Sequence, residues 1–161
     1  MIIKLVNAGK RFNREWIFRN AEIQFETGNS YAITGPNGSG KSTFLQTIGG
    51  MLGLSEGSVN YSNNSRIIQP ETFYYHLSFC APYLDVIEEM TITEFFNFHN
   101  QFQPFIKGYS VEKIVSVIGL EKTLNKQIRF YSSGMKQRVK LAQAIFSNTA
   151  VILLDEPCTN L

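Results

Sequence analysis

A glycine-rich stretch between positions 35 and 43 contains the residue types that hold a polyphosphate. Its residues are, in order, Gly35, Pro36, Asn37, Gly38, Ser39, Gly40, Lys41, Ser42 and Thr43. They match the pattern G-x-x-x-x-G-K-[ST], in which glycines let the backbone turn its N–H groups toward an anion. Lys41 places a positive charge on the outer phosphates, and Ser42 offers a hydroxyl to Mg²⁺. This stretch, the phosphate loop, therefore predicts a phosphate-binding site.

Two acidic residues close an apolar run near the other end of the sequence. Residues 151–154 are all apolar, which predicts a central parallel strand covered on both faces. Asp155 and Glu156 follow directly, at the strand end where α/β sheets bind ligands. Asp155 is a candidate for holding Mg²⁺, directly or through water, and Glu156 is a candidate general base. A turn with two solvated acids is the alternative, which the phosphate loop makes much weaker.

A third stretch combines small residues with the basic start of a helix. It consists of Tyr131, Ser132, Ser133, Gly134, Met135, Lys136, Gln137 and Arg138. Ser132 and the free N–H groups that open the helix are suited to an anion. The alternative is an ordinary helix with Ser133 as its cap, and the stretch seen alone favours that alternative.

The hydrophobic patterns around these stretches predict a mixed α/β chain. Strands are predicted at 2–6, 16–26, 31–34, 59–61, 73–80 and 151–154. Apolar and polar residues alternate in the second of them, so the early strands are expected to form a half-exposed antiparallel layer. The strand at 31–34 runs into the phosphate loop, and the helix that follows stops at Gly49 and Gly50. This strand–loop–helix order is the context that the phosphate pattern requires.

A helical insertion is predicted between residues 91 and 131. Thr91 and Glu94 are spaced as a capping box at the start of one helix. Ser110 is the expected cap of a second helix, which Gly119 ends. A further helix follows the insertion, and its predicted buried side carries Met135, Val139, Ala142 and Ile145.

Composition limits the classes of function. The 161 residues suggest one domain with a real core. Fifteen basic against 13 acidic residues give a net charge of +2, which is too balanced to indicate nucleic-acid binding. No apolar run approaches the ~18 residues that span a bilayer. Cys80 and Cys158 lack metal-like spacing and are expected to be free thiols, with one disulfide as the alternative.

The phosphate loop, residues 132–135 and residues 154–156 together resemble the ATP-binding cassette (ABC) ATPase family in order and spacing. The signature usually written L-S-G-G-Q appears here as residues 131–135, with the serine and the second glycine kept. The resemblance covers nearly the whole chain. It implies an α/β P-loop NTPase fold with a mixed or parallel sheet, an N-terminal antiparallel layer and a helical subdomain at 91–131. It also implies a single domain, 1–161, that is incomplete at its C-terminus.

The resemblance implies ATP and Mg²⁺ as ligands. Lys41 and the loop amides then hold the β- and γ-phosphates, while Ser42 and Asp155 serve Mg²⁺. Glu156 polarises the attacking water. Phe12 stands where the family places an aromatic that stacks on adenine, although a core or hairpin role is the alternative.

The resemblance also implies a dimer. Ser132, Ser133 and Gly134 would contact the γ-phosphate bound by the opposite protomer, so a homodimer or heterodimer would enclose two ATP molecules head to tail. Leu161 falls within the family's dimer-contact loop.

Two departures from the family pattern stand out. The expected glutamine after the strand near Cys80 would fall at Pro82 or Tyr83, where neither residue is a glutamine, and Asp85 or Glu88 is a possible replacement. The family's histidine switch would lie beyond Leu161, so we expect the chain to be a fragment that hydrolyses ATP poorly. His76 and His99 precede the acids in the sequence and are expected to be packing or surface residues.

The function that these features predict is ATP binding and hydrolysis by the nucleotide-binding subunit of an ABC transporter. Such a subunit powers a separate membrane permease from the inner, cytoplasmic face of the cell membrane. The aromatic-rich stretch 73–105 is the expected docking surface, although its individual apolar residues are better explained as core. The alternatives are a soluble ABC ATPase that acts on ribosomes or DNA, and a nucleotide-gated module with weak hydrolysis.

Overall fold

A computed structural model describes residues 1–159 of the chain, which form an α/β structure. The strands are β1 Ile2–Phe12, β2 Glu15–Glu26, β3 Glu56–Asn63, β4 Arg66–Ile68, β5 Leu77–Cys80 and β6 Val151–Leu154. The helices are α1 Lys41–Ile48, α2 Ile92–Phe102, α3 Val111–Val117 and α4 Ser133–Phe146, with short 3₁₀ turns at Pro70–His76, Glu121–Thr123 and Ile128–Phe130. The chain divides into two compact units, Met1–Leu77 and Ser78–Leu161.

The first unit is built on an antiparallel sheet. Its strand order is β2-β1-β3-β4, and each neighbouring pair is antiparallel, which confirms the predicted N-terminal layer. The strands are longer than the sequence predicts, because β1 and β2 continue to a tight turn at Asn13 and Arg14. Bulges interrupt the pairing near Ala8, so the two strands stay paired although their register shifts.

Helix α1 is fixed to this unit by its last turn. Ile48 is buried, and its carbonyl oxygen accepts a 2.9 Å hydrogen bond from the Tyr61 hydroxyl on β3. Burial raises the pKa of Tyr61 to about 12, so this donor stays protonated at any physiological pH. Gly49 caps the helix and Gly50 has a φ of +73°, which confirms the predicted glycine stop.

Two predicted strands of this unit are wrong in whole or in part. Residues 31–34 form no strand, because Tyr31 packs edge-on against Phe25 and its hydroxyl accepts from the Glu26 N–H at 3.1 Å. The predicted strand at 73–80 begins only at Leu77. The preceding 3₁₀ turn instead stacks Phe73 on Tyr61, with ring centroids 3.7 Å apart.

The second unit contains the predicted helical region. Thr91 and Glu94 form the capping box of α2, and the Ser110 side chain caps α3, as predicted. Ser132 rather than Ser133 caps α4, since its hydroxyl accepts from the Met135 N–H at 3.3 Å. The core contains fully buried side chains from all three helices, including Ile92, Phe96, Ile114, Val115 and Val139.

Strands β5 and β6 pair as a parallel two-stranded sheet in the second unit. The predicted burial of β6 on both faces is wrong, because Ile152 is 42% exposed and Leu154 is 37% exposed. Within residues 1–159, β6 has β5 as its one strand neighbour, so half of its side chains remain uncovered. Ile145 of α4, also predicted to be buried, is exposed as well.

The remaining sequence predictions concern cysteines, histidines and membrane spans. Cys80 is buried and Cys158 is exposed, and both are free thiols as expected. Among the helices of the described residues, none has the length and apolar character needed to cross a bilayer.

His99 is a packing residue, as expected, and it closes a ring of hydrogen bonds. The Gln143 side-chain amide donates to His99 Nδ1 at 3.0 Å, so the neutral imidazole carries its proton on Nε2 and donates it to Ser147 Oγ at 2.8 Å. Ser147 donates in turn to the Gln143 carbonyl at 2.6 Å. Burial lowers the pKa of His99 below its ordinary value of 6.5. The ring therefore requires the neutral histidine.

This ring predicts a pH-dependent stability. Between the lowered folded pKa of His99 and its unfolded value of 6.5, the unfolded chain binds more protons than the folded one. The stabilising contribution is thus complete above pH 6.5 and falls as the pH drops below it. Urea unfolding at a series of pH values should show this decline in the wild type and a flatter profile in His99→Gln. Equal slopes in the wild type and His99→Gln would contradict the assignment.

Candidate nucleotide site

The phosphate loop runs into the N-terminus of α1 in the first unit. The Ser39 N–H donates to the Pro36 carbonyl at 3.2 Å, and the Phe44 N–H closes the first helical turn on Gly40 at 2.8 Å. No side chain caps the helix at Gly40. The amide groups of Lys41, Ser42 and Thr43 therefore keep the free N–H donors and the positive helix end that bind phosphate.

Gly40 is required by both backbone geometry and space. Its φ of +91° lies in the left-handed region, and a Cβ at this position would come within 2.1 Å of Ile17 Cγ2 on β2. Any other residue would force the loop away from the sheet. The packing of Phe18 against Phe44, with ring centroids 5.0 Å apart, holds α1 on the same strand. The loop is thus fixed directly to the antiparallel layer.

Lys41 is folded back over the loop. Its ammonium group donates to the carbonyl oxygens of Gly35 and Pro36, each at 3.0 Å. A cation held by two carbonyls carries an uncompensated charge at the mouth of the loop. This arrangement favours an anion there, and the phosphate oxygens of a nucleotide supply one.

Phe12 lies at the end of β1 and is 47% exposed. The Lys10 ammonium lies 5.1 Å from the centroid of its ring. Because its side chain is exposed, Phe12 is not a core residue. Phe12 pairs with Glu15 beside the β1–β2 turn, so a structural role in this hairpin stays the alternative to stacking on adenine. Its contact with adenine stays a prediction.

In the second unit, Asp155 has an unusual environment. The residue is only 3% exposed, and its Oδ2 atom has no hydrogen-bond partner among the described residues. Its backbone N–H donates to the Cys80 carbonyl at 2.8 Å, which ties the end of β6 to the end of β5. A buried carboxylate oxygen without a partner is energetically costly, and a divalent cation is a partner that would satisfy it.

Glu156 directly follows in a strained conformation. Its φ is +44°, a region that costs a non-glycine residue roughly 1–3 kcal/mol and that clusters at functional sites. The side chain is exposed, and its Oε2 atom accepts a hydrogen bond from Thr159 Oγ1 at 3.3 Å. The carboxylate is therefore accessible to a water molecule and is oriented by its own turn.

The signature stretch lies at the start of α4. Ser132 and Ser133 are exposed, and Gly134 is half-buried. Tyr131, which stands in place of the family's leucine, is buried, and its hydroxyl donates to the Thr123 carbonyl at 3.0 Å. This substitution therefore fits the core while leaving the serines accessible. The dimer contact expected at Leu161 lies outside the described residues.

The segment 81–90, where the family's glutamine is missing, is held by two lysines of α4. Lys140 Nζ donates to the Pro82 carbonyl at 3.1 Å, and Lys136 forms an ion pair with Glu88. The Glu88 carboxylate is therefore already paired with Lys136, while the Asp85 side chain is exposed. Which residue replaces the glutamine stays a prediction. Among the described residues, no group of three or more His, Cys, Asp or Glu side chains is placed to hold a metal ion.

The sequence did not predict that polar side chains of α4 would hold neighbouring segments of the fold. Gln137 is 3% exposed and donates to the Pro157 carbonyl at 2.9 Å, directly after Glu156. The helical pattern gave no signal for Gln137, because a residue two positions before Val139 and five before Ala142 lies on another side of the helix. Lys136 and Lys140 are four residues apart and therefore share one side of α4.

Comparison with known proteins agrees with these features. A family model described as ABC transporter matches residues 18–159. The protein YybJ of Bacillus subtilis, described as an uncharacterized ABC transporter ATP-binding protein, is 30% identical over 165 residues, covering 97% of this chain and 71% of its own length. The spermidine/putrescine import ATP-binding protein PotA of Fusobacterium nucleatum is 28% identical, covering 99% of this chain and 43% of its own length.

A solved structure shows the same fold. It is the ATP-binding cassette MJ0796 in a dimeric, post-hydrolysis state bound to ADP and Pi. The TM-score is 0.80 at 25% sequence identity, over 99% of this chain and 75% of that one. The predicted P-loop NTPase fold of the ABC type is thereby confirmed.

Proposed function

The chain belongs to the ABC transporter family as an ATP-binding subunit, and we propose that it hydrolyses ATP to drive a separate membrane-spanning permease. The observation that carries this proposal is the phosphate loop. Its glycine geometry, the uncapped N-terminus of α1 and the Lys41 ammonium at its mouth form a complete cradle for a polyphosphate.

In this proposal the nucleotide is ATP. The amides at the start of α1 and the Lys41 ammonium bind the β- and γ-phosphates, and the exposed Phe12 ring stacks on adenine. Lys41 exchanges its two carbonyl acceptors for phosphate oxygens, which are stronger acceptors because they carry charge. The family relationship and the loop geometry support these roles.

Mg²⁺ is the proposed metal, with Ser42 and Asp155 as the residues that serve it. The unsatisfied, buried Oδ2 atom of Asp155 fits this role, because it is a hard oxygen ligand without a protein partner. When bound, Mg²⁺ supplies charge neutralisation to the phosphates. Glu156, exposed and held by its turn, accepts the proton of the attacking water.

The working unit in this proposal is a head-to-tail dimer, either of two copies or with a related subunit. The exposed Ser132 and Ser133, together with Gly134, then contact the γ-phosphate held by the partner. The dimeric state of MJ0796 supports a dimer. The relatives are named as ABC transporter ATP-binding proteins, which favours the transport subunit over the soluble alternatives.

The permease is proposed to dock on the second unit at the inner face of the cell membrane, where the chain would lie as a peripheral cytoplasmic subunit. Tyr83, Phe98 and Phe102 are 51%, 41% and 67% exposed, and supply an aromatic surface. Elsewhere in the predicted docking stretch, Phe95, Phe96 and Phe105 are buried, whereas Tyr74 and Tyr75 are exposed.

A co-purification experiment tests the permease. The chain is co-expressed with a candidate permease, a multi-span membrane protein, and the membrane protein is recovered on the tagged chain. The Tyr83→Ala variant should recover about tenfold less, because a central interface aromatic is commonly worth 1–2 kcal/mol or more. ATP binding should remain intact. The control is Ile67→Ala, which removes an exposed apolar side chain of β4 outside the predicted docking stretch. Equal recovery by the wild type and both variants would contradict the docking surface.

A further inference from the structure

Gln137 is a buried polar residue that has no part in the proposed catalytic roles. Gln137 lies on α4 with only 3% of its surface exposed, between the core residues Val139 and Ala142 and the start of the helix. A buried amide loses its hydrogen bonds to water and needs a protein partner. The partner is the backbone carbonyl of Pro157, which accepts from Gln137 Nε2 at 2.9 Å.

The acceptor belongs to the turn of residues 155–159, which we call the acidic turn. Its own bonds are weak or local: the Thr159 N–H donates to the Glu156 carbonyl at 3.1 Å, and Thr159 Oγ1 reaches Glu156 Oε2 at 3.3 Å. At its start, the Asp155 N–H bonds to the Cys80 carbonyl at 2.8 Å. Gln137 lies on α4, outside the acidic turn. Its hydrogen bond therefore restrains the backbone on the C-terminal side of Glu156.

Glu156 requires such a restraint because its φ of +44° is unfavourable for a residue with a side chain. A strained residue keeps its conformation only where surrounding contacts over-determine it. With the Cys80 contact on one side and the Gln137 contact on the other, the backbone of the acidic turn is fixed at both Asp155 and Pro157. The Pro157 ring adds stiffness, because it fixes the φ of the residue after Glu156.

We propose that Gln137 is a positioning residue for ATP hydrolysis, which holds Pro157 through its side-chain amide and thereby fixes Glu156 in the conformation that activates water. The proposal rests on the proposed function of Glu156. Gln137 itself touches neither the nucleotide nor the water in this account.

The test replaces Gln137 with methionine, which has similar volume and no N–H donor. Loss of one positioning hydrogen bond should lower kcat about tenfold, while the KM for ATP and equilibrium ATP binding change less than about twofold. The matched control is Gln143→Met. It removes a glutamine of the same helix that bonds His99 and lies away from the acidic turn. This control should keep wild-type kcat.

A second readout does not depend on activity. Amide hydrogen exchange of the peptide that covers residues 155–159 should be faster in Gln137→Met than in the wild type, and unchanged in Gln143→Met. A purely structural role would instead raise exchange across the whole helical core and lower ATP binding as well. If the methionine variant does not fold, Gln137→Asn gives the same comparison, because its shorter amide cannot reach Pro157.

The outcomes separate this inference from the proposed function. In the Glu156→Gln background, Gln137→Met should cause no further loss of turnover, since the residue acts through Glu156. If Glu156→Gln abolishes turnover and Gln137→Met leaves both kcat and exchange at 155–159 unchanged, the positioning role is overturned and the proposed function stands. If Glu156→Gln itself leaves turnover unchanged, the catalytic assignment and this inference both fall.

Discussion

The Glu156→Gln variant is expected to bind ATP with wild-type affinity and to hydrolyse it about 10²–10⁴-fold more slowly, the usual contribution of a positioned general base. Glutamine has nearly the same size and shape as glutamate, so the acidic turn should keep its geometry. What it lacks is a carboxylate that can accept the proton of the attacking water. The measurement is steady-state phosphate release beside equilibrium binding of ATP.

The control for this experiment is Glu89→Gln. Glu89 is an exposed acid of the same unit, outside the acidic turn, and its replacement removes the same charge from the same unit. It should retain wild-type turnover. Comparable rates in the wild type and Glu156→Gln would show that another group activates the water, and the role of Glu156 would have to be withdrawn.

Removal of the Lys41 side chain is expected to have the largest effect on binding. In Lys41→Ala, ATP affinity should fall about tenfold to a hundredfold, because a hydrogen bond to a charged group contributes roughly 1.5–3 kcal/mol and each 1.4 kcal/mol is a factor of ten. The ammonium lies within 3.0 Å of the Gly35 and Pro36 carbonyls, and the polyphosphate that it would contact binds in the same loop. Isothermal titration with ATP measures the change.

Lys4→Ala is the matched control, since Lys4 is an exposed lysine of β1 in the same unit. Its loss should leave ATP affinity unchanged. A thermal unfolding curve for Lys41→Ala shows whether the loop survives without its lysine contacts. Equal ATP affinity of both alanine variants and the wild type, with the fold intact, would remove the phosphate loop from the binding site.

Local sequence signals predicted those parts of the fold that local chemistry determines. The capping box of Thr91 and Glu94 and the cap at Ser110 depend on residues three positions apart, and both appear as predicted. The glycine stop after Ile48 and the conformation of the phosphate loop are likewise set by residues that tolerate positive φ. These features need no knowledge of distant contacts.

The failures occurred where distant contacts decide the conformation. Residues 73–76 read as strand in their own composition, yet the stacking of Phe73 on Tyr61 favours a 3₁₀ turn. Similarly, the apolar run 151–154 predicted burial on both faces, which depends on neighbouring elements that the run itself does not specify.

The features of the candidate site likewise divide into those that the sequence predicted and those that it did not. The sequence identified Lys41, Asp155 and Glu156 by residue type and spacing. It did not indicate that Asp155 Oδ2 is buried without a partner, or that Gln137 reaches the turn that follows. These features depend on tertiary packing, which places α4 over the end of β6.

The most direct test of the account is a single-turnover experiment with the purified protein in excess over radiolabelled ATP and Mg²⁺. We predict that the wild type binds the ATP and converts it to ADP and phosphate, and that EDTA stops the conversion. Glu156→Gln should hold the ATP unhydrolysed, whereas Lys41→Ala should bind a smaller share of it. ATP that stays unbound in the wild type, or conversion at the same rate in all three proteins, would contradict the assignment of this chain as an ATP-hydrolysing subunit.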